Sequence, residues 1–306
     1  MNNIEEITLI LTRKCNLKCK FCNVIYNDDY NDEITSELVI SKFSYIEKII
    51  KTTPKQTINI VLMGGELFSD DIADDVINSY YQLLNQTAEI CERYNKTLTI
   101  SFMSNLITKK IDRLINLAKS LPNCEIHGSF DFVGRFDNPK LIKVWWDNAY
   151  AIKRSGVKFF VAIVGHKYNM EIIKQFDPIW EKLYNEFGVY IQYYEPNNIA
   201  DDYAISYSQY GEFLIFLYDN YRNEKFLQSV LHAFNNNRQM CCQSNWVDCS
   251  GVHKCCDHQA VIRVYKKNHR CLTCKYYNRC PFVCPRVYYK DTQCIFRKLF
   301  DHINAS

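Results

Sequence analysis

The sequence predicts an α/β fold, a partial barrel of six parallel βαβ units followed by a small cysteine-rich, loop-rich C-terminal domain. Three observations predict it. Short apolar runs rich in β-branched residues alternate with longer stretches of helical periodicity from residue 7 to residue 194, the pattern of parallel βαβ units. Cysteine is concentrated at the two ends: of 15 in the chain, three lie at 15–22 and ten between Cys241 and Cys294, with Cys91 and Cys124 standing alone as expected core thiols. Beyond Gln239 the periodicity fades, and so short a segment buries too little apolar surface to hold itself together without bound metal. The expected division is a barrel over 1–200, bridging helices over 201–239 and the cysteine-rich domain over 240–306.

Each element has its own signal. Ile7 to Thr12 reads as the first strand and runs into Cys15. Leu38, Ile40, Phe43, Ile46, Ile49 and Ile50 recur at helical spacing, predicting one helix over 35–51 with Thr35 as N-cap. The unbroken apolar run Ile58 to Met63 predicts a buried strand ending at Gly64-Gly65-Glu66. A helix over 69–94, a strand over 98–103, a helix over 109–120 and a strand over 125–130 follow. Next come a helix over 140–155, a strand over 158–164, a helix over 170–187 and a strand over 189–194. Two helices, 208–221 and 224–235, bridge to the cysteine-rich end.

Composition narrows the function classes. A net charge of +3 does not mark a nucleic-acid binder. No apolar run approaches a membrane span. The N-terminus is polar, and Ile7 to Leu11 is too short for the core of a signal peptide. Fifteen cysteines without an export signal point to metal in a reducing cytoplasm rather than to disulfides.

The run Cys15-Asn-Leu-Lys-Cys19-Lys-Phe-Cys22 carries the most chemistry. Three thiolates in one loop hold three irons of a cubane cluster and leave the fourth open. A closed zinc site needs a fourth ligand, yet the next cysteine is Cys91 and the first histidine His127. The loop resembles the signature of the radical S-adenosylmethionine (SAM) superfamily, down to Phe21 before the last cysteine. The resemblance implies a six-unit open barrel and a [4Fe–4S] cluster whose open iron is chelated by SAM. Reductive cleavage of SAM then yields a 5′-deoxyadenosyl radical that takes a hydrogen from substrate.

Ligands of open α/β sheets bind beyond the C-terminal strand ends, where Gly64-Gly65-Glu66, Ser104, Asn105, Ser129 and Asp131 are expected. The first three resemble the family's SAM-binding motif, with backbone and carboxylate meeting the methionyl amine; Leu67 stands where the family usually has proline. Ser104, Asn105, Ser129 and Asp131 resemble residues that hold the ribose and carboxylate of SAM, or else cap the helices that follow. Tyr193, Tyr194 and Glu195 end the sixth strand, with one tyrosine expected to pack inward.

Near the C-terminus, Cys271-x2-Cys274-x5-Cys280-x3-Cys284 is followed by Cys294 and preceded by Gly251-x4-Cys256. Such pairs also bind zinc, so a zinc ribbon is an alternative. The pattern resembles the SPASM domain, which implies two auxiliary [4Fe–4S] clusters, three in all. The family architecture implies Cys242, Cys249, Cys256 and Cys284 for the first, and Cys271, Cys274, Cys280 and Cys294 for the second. Cys241 and Cys255 remain alternatives to their neighbours. An excess of Lys and Arg after residue 257 suits the negative charge of thiolate-ligated clusters. Asp257, directly after Cys256, resembles the aspartate that accepts a substrate proton in sulfatase-maturing members of the group.

The expected function is thus a radical SAM enzyme that modifies a ribosomally made precursor peptide by a thioether, a carbon–carbon crosslink or epimerisation. A sulfatase-type Ser/Cys oxidase, a sugar or alcohol dehydrogenase, and a non-catalytic iron–sulfur or zinc adaptor are the alternatives. Expected partners are the peptide or protein substrate and a flavodoxin- or ferredoxin-type reductant. Cys15 lies too near the start for the winged-helix module that grips leader peptides in many relatives, so a separate leader-binding protein or the SPASM end is expected to do so.

Overall fold

The computed structural model describes residues 3–22, 33–194, 201–235, 245–248, 251–254, 274–276 and 295–305. The chain forms two compact units, one of residues 3–161 and 243–255, the other of 1–2, 162–242 and 256–306. Most of the last part of the three-part division expected from the sequence lies outside the described residues.

The first unit contains β1 (Ile4–Ile10), β2 (Thr57–Met63), β3 (Thr97–Ser104) and β4 (Cys124–Ser129), with α1 (Ser36–Ser41), α2 (Phe43–Thr52), α3 (Asp74–Arg93), α4 (Ile111–Ser120) and α5 (Pro139–Ser155) between and after them. β5 (Lys158–Gly165) begins here and ends in the other unit, where β6 (Gly188–Tyr193) lies. β1 to β4 pair in parallel, with Ile7 beside Ile60, Ile60 beside Ile100 and Ile100 beside Cys124. Alternation sends Ile7, Leu9, Ile58, Ile60, Leu62, Ile100, Phe102 and Ile126 to one face, where each is fully buried. On that face Phe102 meets Phe68 edge-on, and Phe68 in turn meets Tyr80 of α3. This is the six-stranded parallel α/β wall that the sequence predicts.

Two strands were not expected. β7 (Asn245–Asp248) pairs parallel with β1, and β8 (Gly251–Lys254) pairs antiparallel with β7. The full order is β6-β5-β4-β3-β2-β1-β7-β8.

Local chemistry explains where helices depart from expectation. Thr35 does cap α1, its Oγ1 accepting from Leu38 N at 3.2 Å. The single helix expected over 35–51 is two, because the chain tightens at Lys42, whose N–H reaches back to Val39 O. α3 starts at Asp74 rather than near Ser69. Ser69 first closes a turn by accepting from Ile72 N, and its hydroxyl binds the Asp71 carboxylate, the competition with helix typical of such side chains.

The second unit holds α6 (Lys167–Lys174), α7 (Pro178–Glu186), β6, a 3₁₀ turn (Asp201–Tyr203), α8 (Tyr207–Asn220), α9 (Lys225–Asn235) and α10 (Ile295–Ala305). The helix expected over 170–187 breaks in two. Phe176 is left-handed (φ 54°), Asp177 caps the next helix and Pro178 opens it, a placement that suits proline's missing N–H. Glu224 is fully buried and ties β6 to α9, accepting from Ile191 N at 2.8 Å and Leu227 N at 2.6 Å. α10, unforeseen in the sequence, buries Phe296, Leu299 and Phe300, and Phe300 stacks on Phe234 of α9. No helix among the described residues is long and apolar enough to cross a membrane.

Candidate metal and cofactor centre

Everything described in this centre belongs to the first unit and lies on the loops that leave β1 to β4. The loop after β1 carries Cys15, Cys19 and Cys22. It is held to the loop after β2 by backbone, Gly65 N donating to Thr12 O at 2.8 Å and Glu66 N to Lys14 O at 2.9 Å, and by the Lys14–Asp71 ion pair at 3.0 Å. A Cβ on Gly64 would stand 2.3 Å from Thr12 O, and one on Gly65 would stand 1.9 Å from Lys14 O. Gly64 also has φ near +151°. The two glycines are thus required by the seam between loops, a reason the sequence alone did not distinguish from close approach to a ligand.

Glu66 is 2% exposed and fully engaged. One oxygen accepts from Phe68 N at 3.1 Å and from Ser104 Oγ at 2.9 Å; the other accepts from Asn105 N at 2.6 Å. Burial pushes its carboxyl above the usual range, while these donors and the more distant Arg135 pull it down. Asn105 continues the chain of contacts, its Nδ2 donating to Asn16 Oδ1 at 2.8 Å and lying 3.7 Å from Cys15 Sγ. Ser104 and Asn105 therefore hold Glu66 and the cysteine loop. They do not cap helices: Lys110 precedes α4 and Asn138 caps α5.

Asp131, with no exposed side-chain surface, is bound by Arg135 Nε at 2.6 Å. Arg135 also reaches Cys19 Sγ at 3.6 Å and lies over the Phe21 ring. Lys20 N donates to Gly134 O at 2.9 Å, so the loop after β4 is pinned to the cysteine loop at two points. Ser129 is half-buried, and its carbonyl accepts from Trp145 Nε1 at 3.0 Å. Sequence reasoning missed Arg135. The available signal was an Asp-x3-Arg spacing just past a predicted strand, which in a helix would be an ordinary surface pair.

The residues present fit an iron–sulfur cluster. Burial pushes the Cys15 thiol up and the Cys19 thiol up to about 11, a shift that bound metal opposes, since a coordinating thiol is deprotonated. Donors already point at sulfur: Leu17 N lies 3.4 Å from Cys15 Sγ, beside the Asn105 and Arg135 contacts, and hydrogen bonds to sulfur tune such clusters. Three thiolates in one loop with no fourth ligand in its sequence suit three irons of a cubane, one at each corner.

Other expected residues are not brought to this centre by anything described. Cys274 is a half-buried free thiol of the second unit. Cys242, Cys249, Cys256, Cys271, Cys280, Cys284 and Cys294 lie outside the described residues, as do Asp257 and Glu195. Tyr194 is buried, with its ring 6.4 Å from that of His166. Cys91 is a core thiol, while Cys124 is half-buried.

Comparison with known proteins now has a geometry to meet. The profile of the Radical SAM superfamily matches residues 9–177, more than half of the chain, and the chain belongs to that superfamily. It is accordingly an enzyme of the class that uses a [4Fe–4S] cluster and SAM. Among solved structures, it is similar to native anSMEcpe with bound AdoMet (TM-score 0.70, 15% identity, covering 99% of this chain and 97% of that one). It is likewise similar to anSMEcpe with AdoMet and the Kp18Cys peptide (TM-score 0.71, 14% identity, 99% and 97%). Streptococcus suis SuiB bound to S-adenosylmethionine aligns with a TM-score of 0.56 at 13% identity, covering 94% of this chain and 74% of that one. No match to a curated protein sequence is found.

Proposed function

We propose that this chain is a peptide-modifying radical SAM enzyme with one SAM-binding and two auxiliary [4Fe–4S] clusters. The observation that carries the reading is the three-cysteine loop with its sulfurs met from two sides, Cys15 by Asn105, which also binds Glu66, and Cys19 by Arg135, which also binds Asp131. The full-length likeness in fold to a protein solved with both AdoMet and a peptide supports the substrate class. Cluster and SAM, when bound, supply one-electron cleavage and hydrogen-atom abstraction. The protein's share is placement. Cys15, Cys19 and Cys22 would hold the cluster, with Asn105 and Arg135 set against the Cys15 and Cys19 sulfurs. Gly64, Gly65, Glu66, Ser104, Asn105, Ser129 and Asp131 line the SAM side. Cys242, Cys249, Cys256 and Cys284, and Cys271, Cys274, Cys280 and Cys294, hold the auxiliary clusters, and Asp257 accepts a substrate proton.

The test is anaerobic reconstitution, reduction and assay for 5′-deoxyadenosine, with mass spectrometry of candidate peptides encoded beside the gene. Deoxyadenosine together with a peptide mass change is expected. Cleavage without change in any peptide, but with oxidation of a sugar or alcohol, would move the function to the dehydrogenase reading. A Ser or Cys side chain losing two hydrogens would select the oxidase reading.

A further inference from the structure

The face of the sheet turned away from Phe102, Phe68 and α3 carries polar side chains that the centre above leaves unused. Glu6, Asn59, Thr99, Ser101, Glu125 and His127 alternate with the buried apolar residues along β1 to β4. Asn59 receives a hydrogen bond from Thr99 at 2.9 Å and donates to Glu6 at 3.4 Å. The more specific arrangement surrounds Glu125. One of its oxygens lies 2.8 Å from His127 Nε2 and accepts from Ser101 Oγ at 3.3 Å; the other lies 3.1 Å from Lys158 Nζ. Phe160 packs against the imidazole with ring centroids 5.4 Å apart. His127 is 7% exposed, yet its Nδ1 is buried without a hydrogen-bond partner.

Position makes this more than a structural pair. His127 is paired in register with Met103, and the next residue after Met103 is Ser104. Two residues beyond His127 is Ser129, and two further is Asp131. The imidazole thus occupies the layer of the sheet directly beneath the loops of the candidate SAM site. With Glu125 accepting from Nε2–H, the network assigns the proton to Nε2 and leaves a lone pair on Nδ1. A carboxylate that fixes the tautomer and stabilises the imidazolium is the arrangement that makes imidazole a proton acceptor. A buried acceptor with no partner among the described residues is a place for a donor supplied by a ligand.

We propose that Glu125 and His127 form a proton-accepting pair that meets the peptide substrate, an inference that rests on the reading above for the class of substrate. An N–H, O–H or S–H group of the peptide gives its proton to Nδ1. The imidazolium formed is held by Glu125, and the proton passes to water after product leaves. No electron moves in this step. Ser101 and Lys158 act as positioning residues through Glu125.

Labelling of the holoenzyme, with SAM present, by diethyl pyrocarbonate tests whether Nδ1 is presented to a ligand, and needs no known substrate. Carbethoxylation is read residue by residue by mass spectrometry, with His302, whose side chain is 34% exposed, as the internal standard. Measurable labelling of His127, slower than that of His302 and slowed several-fold further in Glu125→Gln, is expected. Labelling of His302 with His127 untouched would overturn the proposal. Once a peptide is shown to be modified, His127→Gln should lower product per deoxyadenosine by about 10²–10⁴-fold, and added imidazole should restore part of the loss in His127→Gly. Undiminished product from His127→Gln would also overturn it. If no peptide is modified, the substrate reading fails by itself while the labelling still decides the pair.

Discussion

Arg135 serves two groups at once, the buried Asp131 carboxylate and the Cys19 sulfur. Removing it strands a carboxylate with no exposed surface, and breaking a buried pair from one side costs about 3–5 kcal/mol. Arg135→Leu should therefore lower the denaturation midpoint sharply, whereas adding Asp131→Asn to the same chain should recover much of the loss; equal damage in single and double variants would show that the pair is not coupled. A second prediction concerns pH. Burial raises the Glu6 carboxyl above its ordinary value near 4.5, with Asn59 and Lys55 opposing. The folded chain then holds that proton more tightly than the unfolded one, so stability falls as pH rises through 4.5 and upward. Glu6→Gln should melt higher than wild type at neutral pH, with the gain shrinking as pH falls toward 4.5. A constant gain across that range would argue for packing instead. At this scale the sequence was partly readable. Spacing alone marked the three cysteines and Gly64-Gly65-Glu66. It did not mark Arg135 or His127, whose roles depend on side chains brought together from different strands and loops.

At the scale of elements, six strands were legible because each is short, β-branched and followed by a helical period. What was not legible were the breaks. The apolar period runs unchanged through Lys42, so nothing in hydrophobicity separates α1 from α2. Asp177-Pro178 was a readable start signal for α7, but the continuous apolar pattern from Met170 outweighed it. β7 and β8 were invisible for a different reason: strands of four residues are too short to show a period. The loop seam gives a sharp prediction. Gly65→Ala would place a methyl group against Lys14 O and should push the cysteine loop away, costing the N-terminal cluster and SAM binding together. Gly156→Ala is the matched control. Gly156 is left-handed at φ 79° but has nothing within 4 Å of its missing side chain, so it should cost roughly 1 kcal/mol and leave iron content intact. Iron analysis and SAM binding of the two purified variants distinguish the effects; a Gly65→Ala protein with full iron would refute the seam's importance.

For the molecule as a whole, the cysteine count proposes about twelve irons per chain, four for each cubane. Replacing Cys15, Cys19 and Cys22 together with Ala should remove about a third of them and abolish SAM cleavage. A wild-type chain carrying about four irons plus zinc would reduce the C-terminal segment to the zinc alternative. The pairing of β7 with β1 has a consequence in time. Ile7 lies beside Asn245 in that ladder, so the outer edge of the first strand waits for a partner made much later in the chain. At roughly 5–20 residues per second, a ribosome leaves that edge open for about 10–50 s. An uncovered strand edge recruits other chains. A nascent chain stalled before residue 245 should accordingly aggregate, and chaperone occupancy during translation should fall only once that short strand has emerged.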